Sequence, residues 1–392
     1  MPSSVNTQSA TNRVNTVTGT AMTVNVAVAV IHYQDWYLLG FRSAAQHQGN
    51  RYEFVGGKIE ASETAKQALI REVAEETGID IQDNIIVKLG RLHHNYGDKQ
   101  VSLQVYKSEL TDEQFTQYKD CQYGLEGQVL TWVPLSELLA ERYPLPAANK
   151  TILEWLRVPA KITITYPLAY FNDCSESAVA WLEFHQEKLT TAAWVYIRVK
   201  DVTLRDSQSL AAKLLAARPD IRAILPYDDR GAMSKSLVDE EPMAAQDSIT
   251  NDHVVAHHLT QSDLMQWTKS IKANLSVSVA HTSQSDILLN GILSSNQPLI
   301  ISCHDTASIQ AANQLASARL QQNLPPVIGV FISPVLTTQT HPDTVPLGWK
   351  NWSALAQLAD MPVIGLGGLS PNMIDHALQY GGISVAGIRQ FL

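Results

Sequence analysis

The sequence predicts an α/β chain in two parts, a mixed α/β domain followed by a (β/α)₈ barrel. Three observations carry this expectation. At 392 residues the chain exceeds one ordinary domain and suggests two or three. Before residue 158, short apolar strands surround one acidic helix bracketed by glycines. Beyond it, strand and helix patterns alternate eight times in roughly 230 residues, the rhythm of a parallel sheet closed into a barrel.

The first part opens with the apolar run 24–31, read as a buried strand, and a second strand, Trp36–Phe41, follows the polar turn Gln34-Asp35. Ser43–Asn50 is polar and loop-like, and Tyr52–Val55 then leads as a strand into Gly56-Gly57. Thr64-x-x-Gln67 has the form of a capping box at the start of the acidic helix, and Gly78 suits its C-terminal cap. Strands are expected at 85–92, 100–107 and 128–133, with a helix over 149–157. Val158-Pro159-Ala160-Lys161 is a short junction, so the two parts should sit close together. The expected division is a disordered tail at 1–21, the first domain at 22–158 and the barrel at 159–392.

In the barrel the expected strands are Ile162–Tyr166, Trp194–Val199, Ala223–Tyr227, His253–Leu259, Leu299–Cys303, Val327–Ile332, Val363–Leu366 and Ser384–Ile388. Residues 231–251 read as an inserted loop, and Ser276–Ala280 as a ninth strand candidate.

Composition excludes several classes. No stretch approaches the ~18 apolar residues of a membrane helix. The tail is rich in Ser, Thr and Asn and lacks the apolar region of a signal peptide. Cys121, Cys174 and Cys303 are scattered, which suits a reducing cytoplasm and no thiolate metal site. A net charge of −9 disfavours a stable hold on nucleic acid, which depends on Lys and Arg. The expected partner is a small molecule, with no membrane.

The chemistry lies in residues 57–79. At 3.6 residues per turn, Glu72, Glu75 and Glu76 fall within roughly 100° of one helix, and Leu69, Ile70 and Val73 occupy the adjoining sector. Carboxylates that close repel one another unless a hard cation sits among them, and Mg²⁺ takes such oxygen ligands together with substrate phosphates. Gly57, five residues, Glu63, seven residues, then Arg71-Glu72-Val73-x-Glu75-Glu76-x-Gly78-Ile79 resembles the Nudix box at every defined position. The resemblance implies an α/β/α sandwich in which the Gly56 carbonyl, Glu72, Glu75 and Glu76 hold Mg²⁺, with Mn²⁺ as the alternative ion. Arg71 and Glu63 are expected to pair and brace the helix.

Outside the box the resemblance narrows to the MutT type of 8-oxo-dGTP diphosphatase. Arg42-Ser-Ala-Ala-Gln-His47-Gln-Gly-Asn-Arg-Tyr-Glu53-Phe54-Val55-Gly56-Gly57 is similar to that family's segment before the box, which puts Arg42, His47, Glu53 and Phe54 against the nucleotide. Val55 stands where the family usually has proline. Glu126-Gly127-Gln128 followed by Trp132 resembles the segment whose glutamate is a further metal ligand or general base. Tyr143-Pro-Leu-Pro-Ala-Ala-Asn149 resembles the element whose asparagine reads the oxidised base. By itself, Asn149 is equally suited to cap the helix that follows.

The second part resembles the thiamine-phosphate synthase and TenI barrels, most closely from Ser302-Cys-His-Asp through Ser333-Pro-Val-Leu-Thr-Thr-Gln-Thr340-His341 to Gly365-Leu-Gly367-Gly368. The resemblance implies phosphate binding at Arg198, Lys200, Gly367 and Gly368, and metal-binding carboxylates at Asp229 and Asp263. His341 replaces the pyrophosphate-binding lysine, and a neutral imidazole substitutes poorly for a fixed cation. A barrel that binds a phosphate ester, or serves as a scaffold, is therefore expected in place of an intact synthase.

The leading functional expectation is Mg²⁺-dependent hydrolysis of 8-oxo-dGTP to the monophosphate and pyrophosphate, which removes a mutagenic precursor from the nucleotide pool. Two alternatives are hydrolysis of a thiamine-related pyrophosphate beside a phosphate-binding barrel, and a nucleotide-binding sensor.

Overall fold

Strand β1 (Thr23–Tyr33) divides two apolar cores, because successive side chains on a strand point to opposite faces. Val28 and Val30 join the larger core, whereas Ala27, Ala29 and Ile31 pack on Ala68, Leu69 and Val73 of the acidic helix. The computed structural model describes residues 23–45, 49–97, 99–172, 176–200, 202–227, 253–276, 295–339 and 343–392. The expected tail at 1–21 and loop at 231–251 lie outside these residues.

The first sheet runs β3 (Arg51–Glu53), β2 (Trp36–Arg42), β1, β6 (Gln100–Glu109), β5 (Ile86–Asn95), with β4 (Val55–Lys58) on β1 and β7 (Val129–Pro134) on β2. The expected strand Tyr52–Val55 is therefore two strands: Tyr52 pairs with Phe41, while Val55 pairs with Ala29. Gly56 permits the second pairing. Its φ is +147°, and a Cβ there would lie 2.1 Å from the Ala27 carbonyl oxygen.

The acidic helix α1 (Ala65–Thr77) carries the expected capping box, Thr64 with Gln67, and ends on Gly78 in the left-handed conformation. Helix α2 (Asp112–Tyr118) starts on a second capping box, Thr111 with Gln114, and α3 (Leu135–Leu139) follows β7. Helix α4 (Asn149–Leu156) closes this part, burying Ile152, Leu153, Trp155 and Leu156.

Eight parallel strands then close in chain order: β8 (Lys161–Ile164), β9 (Trp194–Tyr196), β10 (Arg222–Pro226), β11 (Val254–Leu259), β12 (Leu299–Cys303), β13 (Val327–Ile332), β14 (Val363–Leu366) and β15 (Ser384–Gly387). Every expected barrel strand is present. β9 stops short of Val199 because the Arg198 N–H turns to the Thr165 hydroxyl at 2.9 Å. Of the ninth strand candidate, Ser276 ends the helix Gln261–Ser276, and 277–280 lie outside the described residues.

The larger apolar core is continuous from the sandwich into the barrel. Among the described residues, no helix is long and apolar enough to cross a membrane.

Candidate active site

Helix α1 supplies one side of the site. Leu69 and Val73 are fully buried, which fixes the rotation of the helix and leaves Glu72, Glu75 and Glu76 off the core-facing stripe. The Glu72 carboxylate rests on Gly57, where a Cβ would come within 2.2 Å of it. Only glycine fits there without displacing the carboxylate.

Glu76 is the centre of the acidic field. The backbone of Gly56 hydrogen bonds to its carboxylate, and burial followed by the charges of Glu53, Glu72 and Glu126 pushes its pKa up to about 8. Glu126 reaches this field although its loop is exposed. The Glu76 carbonyl accepts from Leu125 N–H at 2.8 Å and Gln128 Nε2 at 3.2 Å, which docks residues 125–128 on the last turn of α1.

Arg71 braces the helix as expected. Its Nε and Nη2 donate to the Glu63 carboxylate at 3.2 and 2.6 Å, and its Nη1 to Glu72 and Glu75, both at 2.9 Å. Glu75, at 54% side-chain exposure, faces solvent, and its charge is not among those acting on Glu76.

These oxygen donors suit a hard divalent cation. Glu53, Glu72, Glu76 and Glu126 share one partly buried field, and that field holds Glu76 toward its protonated form. Among the described residues, no three carboxylate, imidazole or thiol groups are already gathered as a metal site.

Beside the carboxylates lies a cleft of about 230 Å³, floored by Val24, Val26 and Val28 and walled by Arg42, Glu53, Phe54, Tyr96, Lys99 and Asn149. Arg42 pairs through Nη1 with Glu53, while its Nε is buried without a partner. An unpaired buried donor costs roughly 1–3 kcal/mol, so a ligand acceptor there would be favoured. Asn149 is 6% exposed. It is the first residue of α4 and not its cap; Ala148 takes that place and makes no side-chain capping bond. The helix-cap reading of Asn149 therefore fails, and its side chain belongs to the cleft wall.

Tyr96 and Lys99 escaped the sequence reading. They sit on the turn between β5 and β6, where the Tyr96 N–H bonds the Lys99 carbonyl at 2.9 Å. Tyr96 also hydrogen bonds to the Ala148 backbone, joining the two cleft walls. No local motif marks them; the alternation Val24-Val26-Val28 was the available sign of a cleft-facing strand. His47 lies outside the described residues.

In the barrel, Arg198 and Lys200 follow β9, and the Gly367-Gly368 turn follows β14. Arg198 is exposed and Lys200 half-buried beyond β9. The Asp263 carboxylate accepts from the Thr260 hydroxyl at 2.6 Å, and Asp229 and His341 lie outside the described residues. A Cβ on Gly368 would meet the Thr337 carbonyl oxygen at 2.5 Å, so the 333–339 loop packs against the Gly367-Gly368 turn. Inside, His258 bridges the Tyr196 hydroxyl at 2.7 Å and the Ser302 hydroxyl at 2.8 Å, with burial lowering its pKa to about 3.

Comparison with known proteins matches two segments of the chain to families. The NUDIX domain family matches residues 26–155. An 8-oxo-dGTP diphosphatase of Escherichia coli (strain K12) is 31% identical over 135 residues, 34% of this chain and 96% of that relative. The chain belongs to the Nudix family. A CTP pyrophosphohydrolase of the same organism is 30% identical over 141 residues, 33% of this chain and 89% of that relative. A solved structure from work on MutT of Aliivibrio salmonicida and Vibrio cholerae is 27% identical, covers 34% of this chain and 95% of that chain, and has a TM-score of 0.27. Behind the Nudix part, the thiamine monophosphate synthase family matches residues 271–391.

Proposed function

We propose that this Nudix hydrolase converts 8-oxo-dGTP to 8-oxo-dGMP and pyrophosphate with Mg²⁺ or Mn²⁺. The observation that carries the reading is the pairing of Glu76, raised to about 8 among Glu53, Glu72 and Glu126, with a cleft walled by Arg42 and Asn149. A bound divalent cation neutralises phosphate charge and lowers the pKa of water. In this reading Glu72, Glu75, Glu76, Glu126 and the Gly56 carbonyl hold the cation, and Glu126 takes the proton of the attacking water. Asn149 presents a donor and an acceptor to the purine edge, and Arg42 offers its unpaired Nε. Phe54 packs the base, and Glu53 orients Arg42.

Residues 22–158 form the hydrolase and 159–392 a barrel that holds a phosphate ester through Arg198, Lys200, Gly367 and Gly368. The relative named CTP pyrophosphohydrolase makes cytidine triphosphate the informative competitor. Pyrophosphate release from 8-oxo-dGTP, dGTP and CTP, each with and without Mg²⁺, tests the reading. A higher kcat/KM for CTP than for 8-oxo-dGTP would overturn the substrate assignment.

A further inference from the structure

The wall of the cleft that carries Asn149 is fastened to the barrel, not only to its own sheet. Six residues along α4 from Asn149, Trp155 is 2% exposed, and its indole Nε1 donates to the Val327 carbonyl at the start of β13 at 3.1 Å. The outer edge of the ring lies against Gly90 of β5, where a Cβ would fall 2.7 Å from the indole and 2.6 Å from the Asp360 carbonyl oxygen. Asp360, from the loop before β14, accepts the Arg91 N–H at 3.1 Å and binds the Arg91 guanidinium at 3.1 and 3.3 Å. The pairing of β5 with β6 shifts register between Lys88 and Gly90, so the bulge lies at this contact.

Both cleft walls start from this point. α4 rises about 1.5 Å per residue, which puts Asn149 roughly 9 Å from Trp155. β5 leads from Gly90 to Tyr96, which bonds the Ala148 backbone immediately before Asn149.

We infer that Trp155 is a positioning residue for base recognition, clamped between Gly90 and the barrel so that α4 presents Asn149 at one height in the cleft. The barrel thereby takes part in nucleotide selection without touching nucleotide. This inference rests on the assignment of Asn149 to the base. It predicts a signature that a merely stabilising contact lacks, because only discrimination between bases, and not the metal-dependent step, depends on where Asn149 stands.

The test uses the full chain and the purine pair 8-oxo-dGTP and dGTP. Trp155→Phe keeps an aromatic filler but loses the bond to Val327, and Gly90→Ala drives a methyl into the ring. Each is expected to raise KM for the preferred nucleotide about fivefold while kcat stays within about twofold, since a small misplacement mainly weakens oriented binding. In an Asn149→Ala background the same changes should leave the nucleotide ratio unmoved, because residues acting through one group are not additive. Asp360→Asn, on the barrel side, should shift the ratio the same way by less, and it serves where a core variant fails to fold. Unchanged KM, a fall in kcat alone for both nucleotides, or effects that add to Asn149→Ala would overturn the inference. Failure of the substrate assignment would appear separately, in the wild-type preference; the clamp is then judged on whichever nucleotide pair the wild type distinguishes.

Discussion

The sandwich and the barrel differ in how they crowd their charged groups. In the sandwich, folding leaves demands unmet: Glu76 is crowded by three other carboxylates, and Arg42 Nε is buried with no acceptor. In the barrel some buried groups answer one another, although Nδ1 of His253 and His257, Trp267 Nε1 and Ser384 Oγ are buried without a partner. His258 is held between Tyr196 and Ser302, Asp263 by Thr260, and the buried His185 accepts the Tyr166 N–H at 3.0 Å while its Nδ1 meets the Trp181 carbonyl at 2.7 Å. Buried polar groups without partners are costly and cluster where a ligand completes them. The contrast teaches that crowded charge beside a cleft, and not a buried unpaired group alone, marks the candidate site.

The largest test of this contrast is Glu76→Gln, which keeps volume and removes the crowded charge. Loss of a principal catalytic group costs several kcal/mol, so kcat should fall on the order of a thousandfold or more, measured by pyrophosphate release. Turnover near wild type at saturating Mg²⁺ would take Glu76 out of the metal platform. Next, Asn149→Ala should lower the preference for 8-oxo-dGTP over dGTP by roughly ten- to a hundredfold, the worth of a paired buried amide, with less effect on kcat. An equal loss for both nucleotides would place base reading elsewhere.

On the barrel side the readout moves from rate to stability. His185 is enclosed by Tyr166, Phe171, Trp181 and Phe184, and burial lowers its pKa from 6.5 to about 4, against the Trp181 hydrogen bond, which raises it. The unfolded chain binds that proton at higher pH than the folded one. Stability is therefore present above about pH 6.5 and falls as the pH drops toward about 4, by at most ~1.4 kcal/mol per pH unit. Calorimetric melting should show this slope in the wild type and a shallower one in His185→Gln. Equal slopes would assign the acid sensitivity to other groups. The smallest expected effect is ligand binding by the barrel: titration of the full chain with thiamine phosphate should show weak binding, with Kd on the order of 1 mM, and no condensation of pyrimidine and thiazole precursors. Robust synthesis would erase the distinction between the two regions.

What was legible in the sequence was local. Helix α1 could be placed to the residue because Thr64, Gln67 and Gly78 terminate it through bonds to near neighbours. The barrel strands were legible as apolar runs at regular intervals, each enclosed on both faces. Helix α2 carried the same signal, Thr111 with Gln114, and went unread among polar residues with none buried. Tyr96 and Lys99 were hidden because a hairpin turn brings them to the cleft, and no spacing records that return. Asn149 carried two meanings in the sequence, and only the position of Ala148 as cap separated them. The Trp155 clamp was hidden most deeply, since its partners come from β5, β13 and the loop before β14.

That clamp also orders events in time. Trp155 and its hydrogen-bond acceptor are 172 residues apart in the chain. At synthesis rates of roughly 5–20 residues per second, about ten to thirty seconds separate their emergence from the ribosome. Through that interval Trp155 has emerged while the carbonyl that accepts its indole N–H has not. The nascent chain thus passes through a stage at which Asn149 has emerged and the barrel contact that fastens its helix has not.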